Sequence, residues 1–185
     1  MIVVDVQRET AEESPDDESF TAAAALALKL AGREQPKQIE ISLRIVDEAE
    51  MQALNQHYRS KAYSTNVLSF PAQLDPIIQD KLPNELLGDI AVCAPVVNRE
   101  AQRQGKETQA HWDHMMIHGV LHLLGFDHED DTEAQRMERI EVEALKALGW
   151  PNPYCEPARE STVKNSAVAR RGLMAEDKAA VGGSA

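Results

Sequence analysis

The chain has 185 residues, 43% of them hydrophobic and 27% charged, enough apolar material for one packed domain. A net charge of −12 speaks against a DNA partner and lowers the expectation of any nucleic-acid partner, because polyanions bind basic surfaces. The longest apolar run, Ala22 to Leu28, is far short of the roughly 18 residues needed to span a bilayer, so no membrane association is expected.

Half of the negative charge lies in residues 1–20, where seven acidic side chains face one Arg8, which leaves room for a basic patch elsewhere. The N-terminus lacks the basic and apolar regions of a secretory leader, so a cytoplasmic address is expected. Cys93 and Cys155 are too few and too far apart for a disulfide framework or a CxxC redox pair.

Along the chain, Met1–Val6 reads as a short strand, followed by an acidic loop over 7–18. Ser19-Phe20-Thr21 opens an Ala/Leu-rich helix to about Leu30, stopped by Gly32 and Pro36. Ile39 to Ile45 alternates apolar and polar with period two, the pattern of a half-buried strand. Asp47 is placed to cap a helix over Glu48–His57. Thr65–Phe70 and Leu86–Val92 read as strands closed by Pro71 and Pro95. Three helices follow, near Pro95–Gln104, Glu107–Leu124 and Thr132–Leu148, with Gly105, Gly125 and Gly149 as stop signals. The expected architecture is α+β: a single domain over 1–155, a small mixed sheet of about four strands packed with about five helices, and a metal site at the end of a helix–turn. Residues 156–185 lack periodicity and are expected to form a flexible C-terminal tail.

The informative segment is His118-Gly119-Val120-Leu121-His122-Leu123-Leu124-Gly125-Phe126-Asp127-His128. His118 and His122 are four apart on a predicted helix, so their imidazoles share one face and can reach a single ion at about 2.0–2.1 Å each. Gly125 breaks the helix, in a left-handed conformation that turns the chain back and brings His128 round as a third ligand. Three protein ligands leave the fourth position of a tetrahedral Zn2+ site open, the mark of a catalytic centre. His111 and His114 lie one or two turns earlier, where they are spare ligands, outer partners of the ligands, or surface groups.

The spacing matches the His-x3-His-x2-Gly-x2-His frame of metzincin proteases. Those enzymes carry Glu directly after the first His as general base; here that position is Gly119, which sets a metallopeptidase-like hydrolase back to a runner-up.

With Gly119 and Asp127 in place, HGVLHLLGFDH resembles the signature of the YbeY family of bacterial endoribonucleases. Leu54-Asn55-Gln56-His57-Tyr58-Arg59-Ser60-Lys61 and Thr65-Asn66-Val67-Leu68-Ser69-Phe70-Pro71 resemble its second block, and Leu87-Gly88-Asp89-Ile90 its third. The match runs in order from about residue 1 to 154. It departs at Asn66, where the family commonly has Asp, a difference expected to bear on local hydrogen bonding more than on chemistry. The resemblance implies a compact α+β fold and a zinc-dependent, single-strand-specific endoribonuclease. Such an enzyme acts in ribosomal RNA processing, notably at the 3′ end of the small-subunit RNA, and in ribosome quality control. It implies zinc ligation by His118, His122 and His128 and gives Arg59 a catalytic role at the substrate phosphate. Taken alone, Arg59 reads as a surface arginine paired with an acidic neighbour.

Asp127 can orient a ligand imidazole or cap a turn. Arg99, Arg103 and Lys106, at three- to four-residue spacing, can line an RNA groove or form a solvated helix face. The alternative to an enzyme is a non-catalytic ribosome-assembly factor stabilised by zinc. Its acidic surface would suit basic proteins of the small ribosomal subunit.

Overall fold

In the computed structural model, residues 1–33, 37–127 and 131–155 are described; the expected ligand His128 and the expected tail over 156–185 lie outside them. The first strand, β1 (Ile2–Arg8), runs two residues further than its apolar pattern, because Gln7 and Arg8 pair with Arg44 and Ile45. The acidic loop is shortened accordingly, and Arg8 holds it by bonding Ser14, the Pro15 carbonyl and Asp17. Helix α1 (Asp17–Leu30) starts earlier than expected because Asp16 caps it, accepting from the Ser19 amide at 2.8 Å.

The alternating stretch becomes β2 (Gln38–Val46), with Ile39, Ile41, Leu43 and Ile45 all buried on one face. Asp47 caps α2 (Glu48–Arg59) by accepting from the Glu50 amide at 2.8 Å, as its position in the sequence predicts. The strand β3 (Val67–Pro71) begins at Val67, since the Asn66 side chain itself accepts the Val67 amide. A short helix, α3 (Pro76–Lys81), was not expected; Asp75 caps it at the Ile77 amide, with Pro76 in the first turn. It makes six helices among the described residues instead of about five. The remaining elements are β4 (Asn84–Cys93), α4 (Ala94–Gln104), α5 (Thr108–Leu123) and α6 (Asp131–Ala147).

The sheet is mixed, in the order β1-β2-β4-β3, with β1, β2 and β4 parallel and β3 antiparallel on the β4 edge. One face carries the main core, where Ile39, Ile41, Leu43, Ile90 and Val92 lie under α1 and α5, with α6 packed on those two helices. The other face is only partly covered, by Met51 of α2 and Val96 of α4 over Leu68, Ala91 and Cys93. Among the described residues no helix is long and apolar enough to cross a membrane.

Where β2 and β4 shift register, Gly88 has φ +146. A Cβ there would collide with the Phe70 carbonyl oxygen and stand 2.9 Å from Leu123 Cδ2. Gly88→Ala is therefore expected to cost more than about 2 kcal/mol, read as a lower urea midpoint.

Candidate active site

Nearly every position of α5 from Ala110 to Leu123 is buried, making it the central helix; His118 and His122 are the half-buried exceptions on its cleft side. The helix can lie against the sheet because position 119 has no side chain. A Cβ at Gly119 would stand 3.0 and 3.1 Å from two Ile90 atoms and 3.3 Å from Ser69 Oγ. The Ser69 hydroxyl, in turn, donates to the Gly119 carbonyl at 3.1 Å. The glycine at the metzincin base position thus lets α5 sit close to the sheet, and a side chain there would crowd Ile90 and Ser69.

His118 and His122 present their Nε2 atoms to one another at 3.0 Å. Two nitrogens bound to one tetrahedral ion at about 2.05 Å stand ~3.3 Å apart, so the pair fits a common metal. Gly125 then adopts φ +87, the left-handed turn its sequence position predicts. Among the described residues no group of three His, Cys, Asp or Glu side chains has metal-holding geometry, and the position that would complete the expected triad, His128, lies outside them.

Behind the pair sits Glu141 of α6, with 0% of its surface exposed. Its Oε1 accepts from His118 Nδ1 at 2.7 Å, and its Oε2 accepts from His114 Nε2 at 3.2 Å and from the Tyr154 hydroxyl. Burial alone would raise its pKa, but the hydrogen bonds from His114, His118 and Tyr154 overcome this and hold the carboxyl far below the usual range. The Tyr154 hydroxyl is pushed well up, by burial and by the same carboxylate. An ionised carboxylate only accepts, so His118 carries a proton on Nδ1, and in its neutral form that tautomer leaves Nε2, on the cleft side, as the lone-pair nitrogen.

Tyr154 reaches Glu141 because the segment after α6 is tied down. Trp150 Nε1 donates to Asp113 at 2.7 Å, and Lys106 donates to the Pro153 carbonyl at 2.8 Å. Neither Glu141 nor Tyr154 was singled out from sequence. The available signal was a carboxylate within the apolar stripe of α6, alongside Met137, Ile140, Ala144 and Leu145.

Arg59, the last residue of α2, lines the same open cleft of about 690 Å³ as His118, His122, Ser69, Phe70 and Asp127. The structure therefore brings Arg59 together with two of the three expected ligands, and Asp127 lies at the turn beside them. His111 and His114 are not ligands here but hydrogen-bond partners of Glu100 and Glu141. Burial lowers the His111 pKa against the opposing pull of Glu100. Asn66, the departure from the family pattern, donates to Glu100 at 3.1 Å, a contact that an aspartate would turn into like-charge repulsion. None of Arg99, Arg103 and Lys106 lines the cleft; Arg99 pairs with Glu48 at 2.7 Å on the surface, and Lys106 donates to the Pro153 carbonyl.

These observations define an α+β protein whose cleft crosses the edge strand β3, with a histidine pair on one helix and an arginine at the end of another. The family model described as Endoribonuclease YbeY matches residues 5–149. The endoribonuclease YbeY of Pseudomonas entomophila (strain L48) is 48% identical over 161 residues, covering 87% of this chain and 98% of that protein. The endoribonuclease YbeY of Pseudomonas putida (strain W619) is 49% identical with the same coverage. The solution structure of TM1509 from Thermotoga maritima shares the fold, with a TM-score of 0.51 at 21% identity over 80% of this chain and 92% of that one. The chain belongs to the Endoribonuclease YbeY family, a family of RNA-hydrolysing enzymes.

Proposed function

We propose that this protein is a zinc-dependent endoribonuclease that cuts single-stranded RNA in the cytoplasm during ribosomal RNA processing, at the 3′ end of the small-subunit RNA, and in ribosome quality control. Its partners are ribosomal RNA and proteins of the small subunit. The observation that carries the reading is the His118–His122 pair, 3.0 Å apart at Nε2, backed by Glu141 and sharing one cleft with Arg59.

His118, His122 and, beyond the described residues, His128 would hold the ion. Bound there, zinc supplies Lewis-acid polarisation of a phosphoryl oxygen and activation of water near neutral pH. Glu141 keeps His118 in the tautomer that can ligate. Arg59 binds the phosphate with its planar fork and offsets charge as it builds on the phosphoryl oxygens. The packing of Gly119 against Ile90 leaves no carboxylate at the position where a metallopeptidase of this frame keeps its base, so peptide hydrolysis is disfavoured.

The deciding experiment is cleavage of an end-labelled single-stranded RNA by the zinc-loaded protein and by His122→Ala prepared identically. Activity is expected to fall more than about a hundredfold, because even outer partners of a metal ligand are worth ten- to a hundredfold. Equal cutting by both would mark a contaminant. No cutting by a wild type that holds stoichiometric zinc would favour the assembly-factor role. Arg59→Lys keeps the charge but loses the fork, and is expected to lower kcat/KM about tenfold with zinc content unchanged, as measured by steady-state cleavage and metal analysis.

A further inference from the structure

Tyr58, next to Arg59 in α2, is 60% exposed and packs its ring against Phe70. Its ring centroid lies 4.7 Å from that of Phe70 at a tilt of 57°, and 4.7 Å from that of His57 at 84°. Ser60, in the left-handed conformation at φ 57, ends the helix immediately afterwards. Tyr58 and Arg59 are thus delivered together at the helix terminus.

The position of this ring is distinctive. It lines the cleft that holds His118 and His122, and it also lines a second groove of about 580 Å³ that runs over the uncovered face of the sheet past Ser42, Arg44 and Asp89. Tyr58 therefore stands where the two depressions meet, with Phe70 common to both. A rigid, amphipathic ring beside a phosphate-binding arginine is what an unpaired base stacks upon, since every base has a π-face. In a duplex those faces are already taken up by neighbouring pairs, so such a platform admits single strands and rejects paired ones.

We infer that Tyr58 is a stacking platform for a nucleobase of single-stranded RNA, flanking the phosphate held by Arg59 and leading the strand from the metal cleft into the second groove. This rests on the ribonuclease reading. It adds the subsite that makes the enzyme read unpaired bases.

The test compares the zinc-loaded full chain with its Tyr58→Ala and Tyr58→Phe variants, all with unchanged melting temperature, on a single-stranded RNA octamer and on its abasic counterpart. Tyr58→Ala is expected to raise KM for the octamer about tenfold with kcat within about twofold, whereas Tyr58→Phe behaves as wild type. On the abasic octamer the alanine variant should bring no further loss. The same comparison by fluorescence anisotropy in a His122→Ala background reads binding without cleavage. If the wild type binds RNA with this Tyr58 dependence but does not cut, the platform stands and the nuclease reading falls. If the wild type cuts and Tyr58→Ala matches it, or loses equally on the abasic strand, the platform is overturned while the nuclease reading stands. A protein that neither binds nor cuts RNA overturns both.

Discussion

Glu141→Ala is expected to weaken zinc binding at least tenfold and to destabilise the fold by about 3 kcal/mol. The carboxylate is fully buried and accepts three hydrogen bonds, from His118, His114 and Tyr154. Its loss leaves buried donors without acceptors and frees His118 to put its proton on the nitrogen that should ligate. Chelator competition measures the first effect and urea denaturation the second; unchanged zinc affinity would show that the carboxylate does not set the tautomer.

The pH dependence has a definite sign. The folded carboxyl titrates far below the ordinary glutamate range, so its contribution is complete above that range and is lost as the pH falls through it. Wild type should therefore lose stability more steeply below about pH 4.5 than Glu141→Ala does.

Gly119→Glu, which restores the metzincin frame, is expected to yield an unfolded or severely weakened protein instead of a peptidase. The new Cβ alone meets Ile90 at 3.0 Å, and the carboxylate beyond it is forced between α5 and the sheet. Overpacking together with an unpaired buried charge costs about 4 kcal/mol or more. Gly119→Ala should cost about 1–3 kcal/mol, the steric share alone. Wild-type urea midpoints for both would mean that the helix can move away from β4 and that the glycine is not a packing requirement.

Local signals in the sequence were faithful wherever the physics is local. The period-two run of β2, the Asp47 cap, the four-residue spacing of His118 and His122 and the reversal at Gly125 all depend on neighbours within one or two turns. Features set by distant partners were not legible. The parallel order β1-β2-β4 depends on how crossovers pack, and alternation within a strand does not reveal it. Glu141 acquires its meaning from His118, on a different helix, and Arg99 finds its partner Glu48 in α2. Arg59 gained its role only from the family resemblance, and the structure adds that it shares a cleft with the histidine pair.

The dependence of His118 on α6 and, through Glu141, on Tyr154 also orders events during synthesis. The histidines emerge first; Glu141, which holds His118, follows it by 23 residues, and Tyr154, which holds Glu141, follows His118 by 36. At elongation rates of about 5–20 residues per second that is a delay of roughly 1–7 seconds. A nascent chain in this interval has His118 and His122 but not the carboxylate that accepts from His118. Chains that end before α6 lack both Glu141 and Tyr154 and should retain metal more weakly than the full chain, which metal analysis of such a truncation would read.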